Sequence, residues 1–176
     1  MTVGFFSPLA RTRLLATSAV LVSLAAAHVF AQSADLPNRK DPLPGITTAG
    51  QPSADQLAAA AKSGIKTVID LRALGEDRGM DERATVEKLG MSYVSLPIEG
   101  GADVTYANAT ALDKLLADAK GPVLLHCASG NRVGALLALR DKSKGADNDA
   151  ALALGVKSGL TGLKPTVEQK LAQGHD

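Results

Sequence analysis

The apolar positions of this chain fall into short runs that alternate with segments of helical character. Four runs have the length and the β-branched or aliphatic content of strands, at 46–49, 65–71, 92–98 and 123–125. Runs of this length are typical of strands in a parallel sheet, which is buried on both faces. The pattern therefore predicts four strands in the interior of the protein.

Helices are predicted between and after these runs from their capping residues. Ser53 and Gln56 have the spacing of a capping box, and Gly64 ends the helix that they open. Asp81 likewise begins a helix that ends at Gly90. Further helices are predicted at 104–119, 132–142, 148–158 and 165–173.

The order of these elements indicates an α/β fold. Strands that alternate with helices, followed by helices alone, predict a central four-stranded, mainly parallel sheet flanked by helices, with a helical C-terminal part. A chain of 176 residues has room for one such domain with a substantial core.

The first 31 residues carry the features of an export signal. Arg11 and Arg13 form a basic region, 14–29 is uncharged and mostly apolar, and Ala31 completes a small-residue cleavage pattern. Because a membrane span needs about 20 apolar residues, cleavage after Ala31 is favoured over an uncleaved anchor. We expect a periplasmic or secreted protein with no stable membrane insertion after signal cleavage.

The segment that follows, 32–45, is polar and rich in proline. Pro37, Pro42 and Pro44 interrupt any regular pattern, which favours a flexible tether. The sequence therefore predicts three parts: a signal peptide at 1–31, a tether at 32–45 and a folded domain at 46–176.

Composition and charge exclude several functions. Without Arg11 and Arg13, the 19 Lys and Arg residues fall to 17, against 18 Asp and Glu, and all three phenylalanines lie in the signal segment. A near-neutral chain whose only other aromatic residues, apart from histidines, are Tyr93 and Tyr106 gives no sign of nucleic-acid binding. No cluster of Cys or His indicates a metal site, and we expect no cofactor.

The chemistry is concentrated at the end of the last predicted strand. A tight loop at 126–131 joins this strand to a helix that begins near Arg132, and it carries Cys127, the only cysteine. Such a loop aims unpaired N–H groups at one point beside the positive end of a helix dipole. An anion site of this kind favours the thiolate form of Cys127, which is the nucleophilic form.

Two further residues suit this loop to an oxyanion. Gly130 allows the main-chain amides to turn inward, and Arg132 supplies a planar fork of donors that fits two oxygens of a phosphoryl or sulfuryl group. A free cysteine is more often a small buried hydrophobe. The grouping of His, Cys, Gly and Arg within seven residues favours a function over that alternative.

These residues resemble a known family. His-Cys-x-x-Gly followed by Arg at 126–132 resembles the signature of cysteine-dependent, dual-specificity-like protein phosphatases. Ala-Gly-Gln-Pro-Ser at 49–53 and Gly-Ile-Lys-Thr-Val-Ile-Asp-Leu-Arg at 64–72, with Glu76 following, resemble the bacterial phosphatase-like domain of the beta-lactamase hydrolase-like family. The resemblance implies a protein tyrosine phosphatase-like fold for 46–176 and hydrolysis of a phosphomonoester without metal or cofactor.

The resemblance also implies a role for each residue of the loop. Cys127 attacks phosphorus, and His126 holds the thiolate by hydrogen bonds from behind the loop. The phosphoryl oxygens are bound by the loop residues Ala128, Ser129, Gly130, Asn131 and Arg132. The expected substrate is a phosphorylated small molecule or a phosphoprotein.

The resemblance offers Asp103 as the acid that protonates the leaving oxygen. Asp103 precedes a predicted helix, so it equally fits an ordinary N-cap, and Glu99 is the alternative acid. Arg72, Glu76, Asp77 and Arg78 follow the strand at 65–71, at the sheet edge where ligands bind in α/β folds, although charged loop residues are more often only solvated.

The loop departs from the ordinary phosphatase pattern in two ways. Four residues separate Cys127 from Arg132, where protein tyrosine phosphatases have five, and rhodanese-type sulfurtransferases have the shorter gap. Val133 replaces the Ser or Thr whose hydroxyl helps the thiolate leave, and Ser129 is a partial substitute. Two alternatives therefore stay open: sulfur transfer through a Cys127 persulfide, and an oxyanion-binding module with little turnover.

Overall fold

The computed structural model describes residues 34–174, together with residues 1, 2 and 4. The predicted signal peptide at 1–31 lies almost entirely outside these residues. Within the described part, no helix is both long and apolar enough to cross a membrane.

A mainly parallel sheet of five strands forms the centre of the described part. Its strands are β1 (Lys40–Leu43), β2 (Ile46–Ala49), β3 (Thr67–Asp70), β4 (Ser92–Ser95) and β5 (Val123–His126). Their order across the sheet is β1-β2-β5-β3-β4, so β5 is the central strand. Only β1 runs antiparallel to its neighbour.

Helices follow each parallel strand and make up the C-terminal part. The bounds of the six α-helices in the described part are α1 (Ala54–Lys62), α2 (Glu82–Lys88), α3 (Tyr106–Asp118), α4 (Asn131–Ser143), α5 (Asn148–Lys157) and α6 (Lys164–Gln173). A 3₁₀ turn at Gly101–Asp103 precedes α3. The predicted α/β class with a helical C-terminal part is confirmed.

The predicted caps form as the sequence indicates. Ser53 and Gln56 make both hydrogen bonds of the capping box at the start of α1. Asp81 accepts a hydrogen bond from the N–H of Ala84 at the start of α2. Gly64 and Gly90, which follow these two helices, have the positive φ values of C-terminal glycines.

The sheet carries a separate apolar cluster on each face. Val68 of β3 and Leu124 of β5 pack in one cluster with Leu57 of α1. Ile69 and Leu125, the next residues along the same strands, pack in the other cluster with α3 and α4. Side chains of β3 and β5 alternate between the two faces, so both strands are packed on both sides. This packing holds in place the strand ends that carry the candidate site.

The predicted tether at 32–45 needs correction. Residues 34–45 of this segment belong to the packed domain: Ala34 and Leu36 are buried in the apolar cluster of α1, and β1 adds a fifth strand to the predicted four. Pro42 concealed this strand in the sequence. Proline is tolerated there because β1 lies at the edge of the sheet.

A close approach of main chains sets the position of α4. A Cβ at Gly134 would lie 2.2 Å from the nitrogen of Leu160 and 2.6 Å from the carbonyl oxygen of Gly155. Only glycine therefore allows α5 and the segment after it to lie against the first turns of α4. This contact holds the helix that carries Arg132.

Candidate active site

The site lies where two neighbouring strands end. β3 and β5 are parallel, with Asp70 beside His126 in the register, so the loops that follow them leave the sheet at the same edge. The loop after β5 carries Cys127, and the loop after β3 carries Glu76. This is the edge at which ligands bind in open α/β sheets.

The loop after β5 curls around the sulfur of Cys127. The Cys127 side chain is buried, and the N–H of Gly130 donates to its Sγ at 3.1 Å. Gly130 makes this turn with a φ of 91°, which a residue with a Cβ adopts at a cost. Four other N–H groups, of the loop and of the first turn of α4, have no acceptor among the described residues: those of Ala128, Ser129, Asn131 and Arg132.

The outer side of the loop is held by the rest of the protein. The N–H of Gln51 donates to the carbonyl oxygen of Ala128 at 3.1 Å. The side-chain Nδ2 of Asn38 donates to the carbonyl oxygen of Ser129 at 3.3 Å. With these carbonyls facing outward, the free N–H groups are left for an anion.

Asn131 has a role that the sequence did not reveal. Its side-chain oxygen accepts hydrogen bonds from the N–H groups of Thr161 (2.8 Å) and Leu163 (3.2 Å). Through this oxygen Asn131 ties the C-terminal segment to the Cys127 loop.

Arg132 lies beside this loop and is fixed by Glu76. Its guanidinium contacts Glu76 through both terminal nitrogens, with Nη2 2.8 Å from Oε2, and Nη1 also donates to the carbonyl oxygen of Ile98 at 2.8 Å. The hydrogen bonds to Glu76, and then the charge of Cys127, raise the pKa of Arg132 although partial burial opposes this. Glu76 and the carbonyl oxygen of Ile98 therefore hold the guanidinium at the end of the Cys127 loop.

The loop after β4 holds both carboxylates considered as the acid. Ile98 brings this loop to Arg132, and Glu99 follows with its side chain exposed. Asp103 lies in the 3₁₀ turn, where its Oδ2 accepts from the N–H of Glu99 at 2.8 Å. The N-cap of α3 is Thr105, so the interpretation of Asp103 as that N-cap is wrong.

His126 lies behind the loop and is completely buried. Its Nε2 lies 2.8 Å from Oε1 of Glu82, although the direction is poor for a hydrogen bond, and 3.9 Å from Oδ1 of Asp70. Burial lowers the pKa of His126 to about 4, so the ring is neutral at pH 7. The ring makes no hydrogen bond to the Cys127 sulfur within the described part, so the predicted hydrogen bond from the His126 ring to the thiolate is not formed.

Arg72 joins the two buried carboxylates of this cluster. It donates from its N–H and Nε to Oδ1 of Asp70, both at 2.9 Å, and Nη2 also contacts Glu82. Desolvation raises the pKa of Asp70, but the bonds from Arg72 outweigh it and bring the value to about 2. Arg72 has no exposed surface, so the idea that it lines the ligand site is wrong.

The same cluster has the residue types of a metal site. Ligand atoms of Asp70, Glu82 and His126 lie within 4.8 Å of one another. However, the guanidinium of Arg72 already contacts both carboxylates, and a cation there would be next to a buried positive charge. We therefore interpret the cluster as an ion-pair network.

Two clefts differ in their relation to this chemistry. The larger, of about 550 Å³, lies at the opposite end of the parallel strands, where they begin, and Gly45, Ile65 and Pro122 line it. Neither Cys127 nor Arg132 lines this cleft. A smaller cleft of about 330 Å³ is lined by Gln51, which contacts the Cys127 loop. The chemistry rather than the volume identifies the site.

A mainly parallel sheet flanked by helices, with a buried cysteine in the strand-to-helix loop, defines a phosphatase-like α/β domain. The chain belongs to the family of the beta-lactamase hydrolase-like protein, phosphatase-like domain, whose family model matches residues 43–144. The family resemblance read from the sequence is confirmed.

Curated relatives contain this domain within longer chains. The chain is 34% identical over 120 residues to the beta-lactamase hydrolase-like protein of Xylella fastidiosa (strain Temecula1), covering 65% of this chain and 28% of that protein. The chain is also 32% identical over 104 residues to the beta-lactamase hydrolase-like protein of Agrobacterium fabrum (strain C58), covering 57% of this chain and 24% of that protein. The matched part thus spans about a quarter of the length of these relatives.

Solved structures share the fold at low identity. A proposed phosphatase of Neisseria meningitidis Z2491 superimposes with a TM-score of 0.64 at 20% identity, over 74% of this chain and 96% of that chain. TpbA of P. aeruginosa, in a cysteine-to-serine variant in complex with pTyr, gives a TM-score of 0.57 at 23% identity, over 78% and 84%. The predicted tyrosine phosphatase-like fold is thus confirmed.

Proposed function

We propose that this protein is an exported, cysteine-dependent phosphatase that hydrolyses phosphomonoesters through a phosphocysteine intermediate. The observation that carries the proposal is the convergence of sulfur, amide and guanidinium: Gly130 donates to Cys127 Sγ at 3.1 Å, and Glu76 fixes Arg132 beside the same loop. The family and the fold support a phosphatase.

In the first step the Cys127 thiolate attacks phosphorus. The S–P bond forms as the ester P–O bond breaks, and the leaving oxygen takes a proton from an acid. Arg132 and the free N–H groups of the loop bind the three remaining phosphoryl oxygens, on which negative charge is spread. Their fixed positions stabilise that charge without reorganisation.

In the second step water attacks the phosphocysteine. The S–P bond breaks, inorganic phosphate leaves and the thiolate is restored. Val133 is completely buried and offers no hydroxyl to the departing sulfur, while Ser129 is exposed at the mouth of the loop. The second step is therefore the slow one, and the phosphocysteine accumulates.

Asp103 is the proposed proton donor, and Glu99 is the alternative. Both lie in the loop that reaches Arg132 through Ile98. A proton donor matters most for a poor leaving group. Asp103→Asn should therefore slow hydrolysis of an alkyl phosphate more than that of a nitrophenyl phosphate, and the same result for Glu99→Gln would move the role to Glu99.

The proposed substrate is a phosphorylated small molecule or a phosphoprotein. A fold relative binds pTyr in its structure, which supports a phosphoryl group as the part recognised. Export is proposed from the basic and apolar pattern at 1–31.

Two assays run in parallel test the function. Release of phosphate from an aryl phosphate is measured for the wild type and Cys127→Ser, together with sulfur transfer from thiosulfate to cyanide. We expect phosphate release that the substitution abolishes and no sulfur transfer. Cyanide-dependent activity would indicate a sulfurtransferase instead, and vanadate binding without either activity would indicate an oxyanion-binding module.

A further inference from the structure

Arg78 makes an unusual set of contacts next to the site. Its two terminal nitrogens donate to four main-chain carbonyls of a single loop, and its Nε donates to Oδ2 of the buried Asp70 at 3.1 Å. The four carbonyl oxygens, at 3.0 to 3.4 Å, are those of Arg72, Ala73, Leu74 and Glu76. One side chain therefore fixes the path of the loop at 72–76.

That loop presents the carboxylate that holds Arg132. Oε1 of Glu76 accepts from the N–H of Ala73 at 2.7 Å, so the carboxylate is fixed to the main chain of its own loop. The same carboxylate contacts Arg132 through both oxygens. The position of the Arg132 guanidinium thus depends on the path of the loop.

The contacts form a continuous chain from the interior to the site. Asp70, with no exposed surface, holds Arg78; Arg78 holds the loop; and the loop holds Glu76 against Arg132. Tyr93 donates to the same oxygen of Asp70 at 2.9 Å, which fixes the inner end of the chain.

We propose that Arg78 is a positioning residue for oxyanion binding, which acts through Glu76 on Arg132. The inference rests on the proposed role of the Cys127 loop as an oxyanion site. A guanidinium that is already in place binds an anion without loss of side-chain freedom. Arginine is required because its planar fork reaches several carbonyls at once, whereas lysine has a single charged nitrogen.

The test is a double-mutant cycle with orthovanadate as the probe. Dissociation constants are measured for the wild type, Arg78→Lys, Glu76→Ala and the double variant. Arg78→Lys keeps a positive charge beside Asp70, which preserves the fold, but gives up the fork. We expect each single change to weaken binding by about tenfold, and the double variant to bind within about twofold of Glu76→Ala.

Arg39→Lys is the matched control. Arg39 also donates to a carboxylate, that of Asp41, and to a carbonyl, that of Ala34, but it lines the cleft at the opposite end of the parallel strands. The vanadate affinity of the Arg39→Lys variant should equal that of the wild type. Thermal unfolding should show that all variants are folded.

Three results would overturn the inference. The first is an unchanged vanadate affinity in Arg78→Lys. The second is a double variant whose loss of binding free energy equals the sum of the losses in Arg78→Lys and Glu76→Ala. The third is the absence of vanadate binding by the wild type. Phosphate release from an aryl phosphate is measured separately. If the cycle shows coupling but no phosphate is released, the role of Arg78 stands and the proposed hydrolysis fails.

Discussion

Arg72 follows the end of β3, and Arg132 lies in the first turn of α4, after the loop that follows the neighbouring strand β5. Each contacts a glutamate, yet the two arginines differ in their access to solvent. Arg72 and its partners have no exposed surface. The side chain of Arg132 is 12% exposed and that of Glu76 is 30% exposed. An arginine–glutamate pair is therefore completely buried at one position and partly exposed to solvent at the other.

The difference follows from the physics of burial. A buried charge that loses its partner is left uncompensated where water cannot reach it, so the Arg72 cluster is a fixed frame behind the site. Water reaches the pair of Arg132 and Glu76, and an anion can reach Arg132 at a moderate cost. Burial thus separates Arg72, which stabilises the fold, from Arg132, which we propose binds the phosphoryl group.

The largest expected effect comes from breaking the buried network. Arg72→Met leaves Asp70 and Glu82 without their partner, and it should lower the free energy of unfolding by about 3–5 kcal/mol, measured in urea. Lys164→Met removes an exposed pair with Glu168 and should change stability by less than about 1 kcal/mol. Equal effects of the two changes would contradict the comparison.

The buried cluster should also make stability depend on pH. The pKa of His126 is lowered from 6.5 to about 4 in the folded protein. As the pH falls below 6.5 the unfolded state takes up a proton that the folded state takes up only near pH 4. Stability contributed by the neutral ring is present above pH 6.5 and should fall by about 3 kcal/mol down to pH 4.

Urea unfolding at several pH values checks this expectation, with His126→Asn as the comparison. The variant should lose the part of the slope between pH 6.5 and 4 that His126 causes, since asparagine does not titrate. The carboxyl of Asp70, whose pKa is about 2, adds a further loss only below pH 4. A wild-type slope retained in the variant would assign the effect to another group.

Changing Arg132, the partly exposed arginine, should affect catalysis rather than stability. Arg132→Lys keeps the charge but loses the fork that binds two phosphoryl oxygens, and we expect kcat/KM for an aryl phosphate to fall about a hundredfold. The free energy of unfolding should change by less than about 1 kcal/mol. A large loss of stability with kcat/KM unchanged would reverse the roles of the two arginines.

The smallest expected effect concerns the organic part of the substrate. Leu74 is 74% exposed on the loop that carries Glu76, and an aryl group bound beside the phosphoryl site would cover part of it. Leu74→Ala should lower kcat/KM for an aryl phosphate about fivefold and leave that for glycerol phosphate unchanged. Val156→Ala, at an exposed position of α5, is the control, and an equal loss for both esters would exclude this contact.

Local signals explain what the sequence predicted correctly. Capping residues and glycines at helix ends act within a few positions, so the helices could be placed from Ser53, Gly64 and Asp81. The Cys127 loop was recognisable for the same reason, because nucleophile, glycine and arginine are close in sequence.

Contacts between distant residues explain what was missed. Glu76 and Arg132 are 56 positions apart, and a charged residue in a loop looks the same in sequence whether it is solvated or completely buried as Arg72 is. Pro42 hid an edge strand. One signal was available: Asp70 and Arg72 are opposite charges two positions apart at the end of a buried strand, where a charge is rarely left without partners.

The central claim is that the sulfur of Cys127 becomes covalently bonded to phosphorus. The most direct measurement is mass spectrometry of the protein after rapid mixing with an aryl phosphate and an acid quench. We predict a mass increase of one phosphoryl group on the peptide that contains Cys127, absent in Cys127→Ser. Phosphate release by the wild type with no phosphorylated Cys127 at any time, or equal release by Cys127→Ser, would contradict the account.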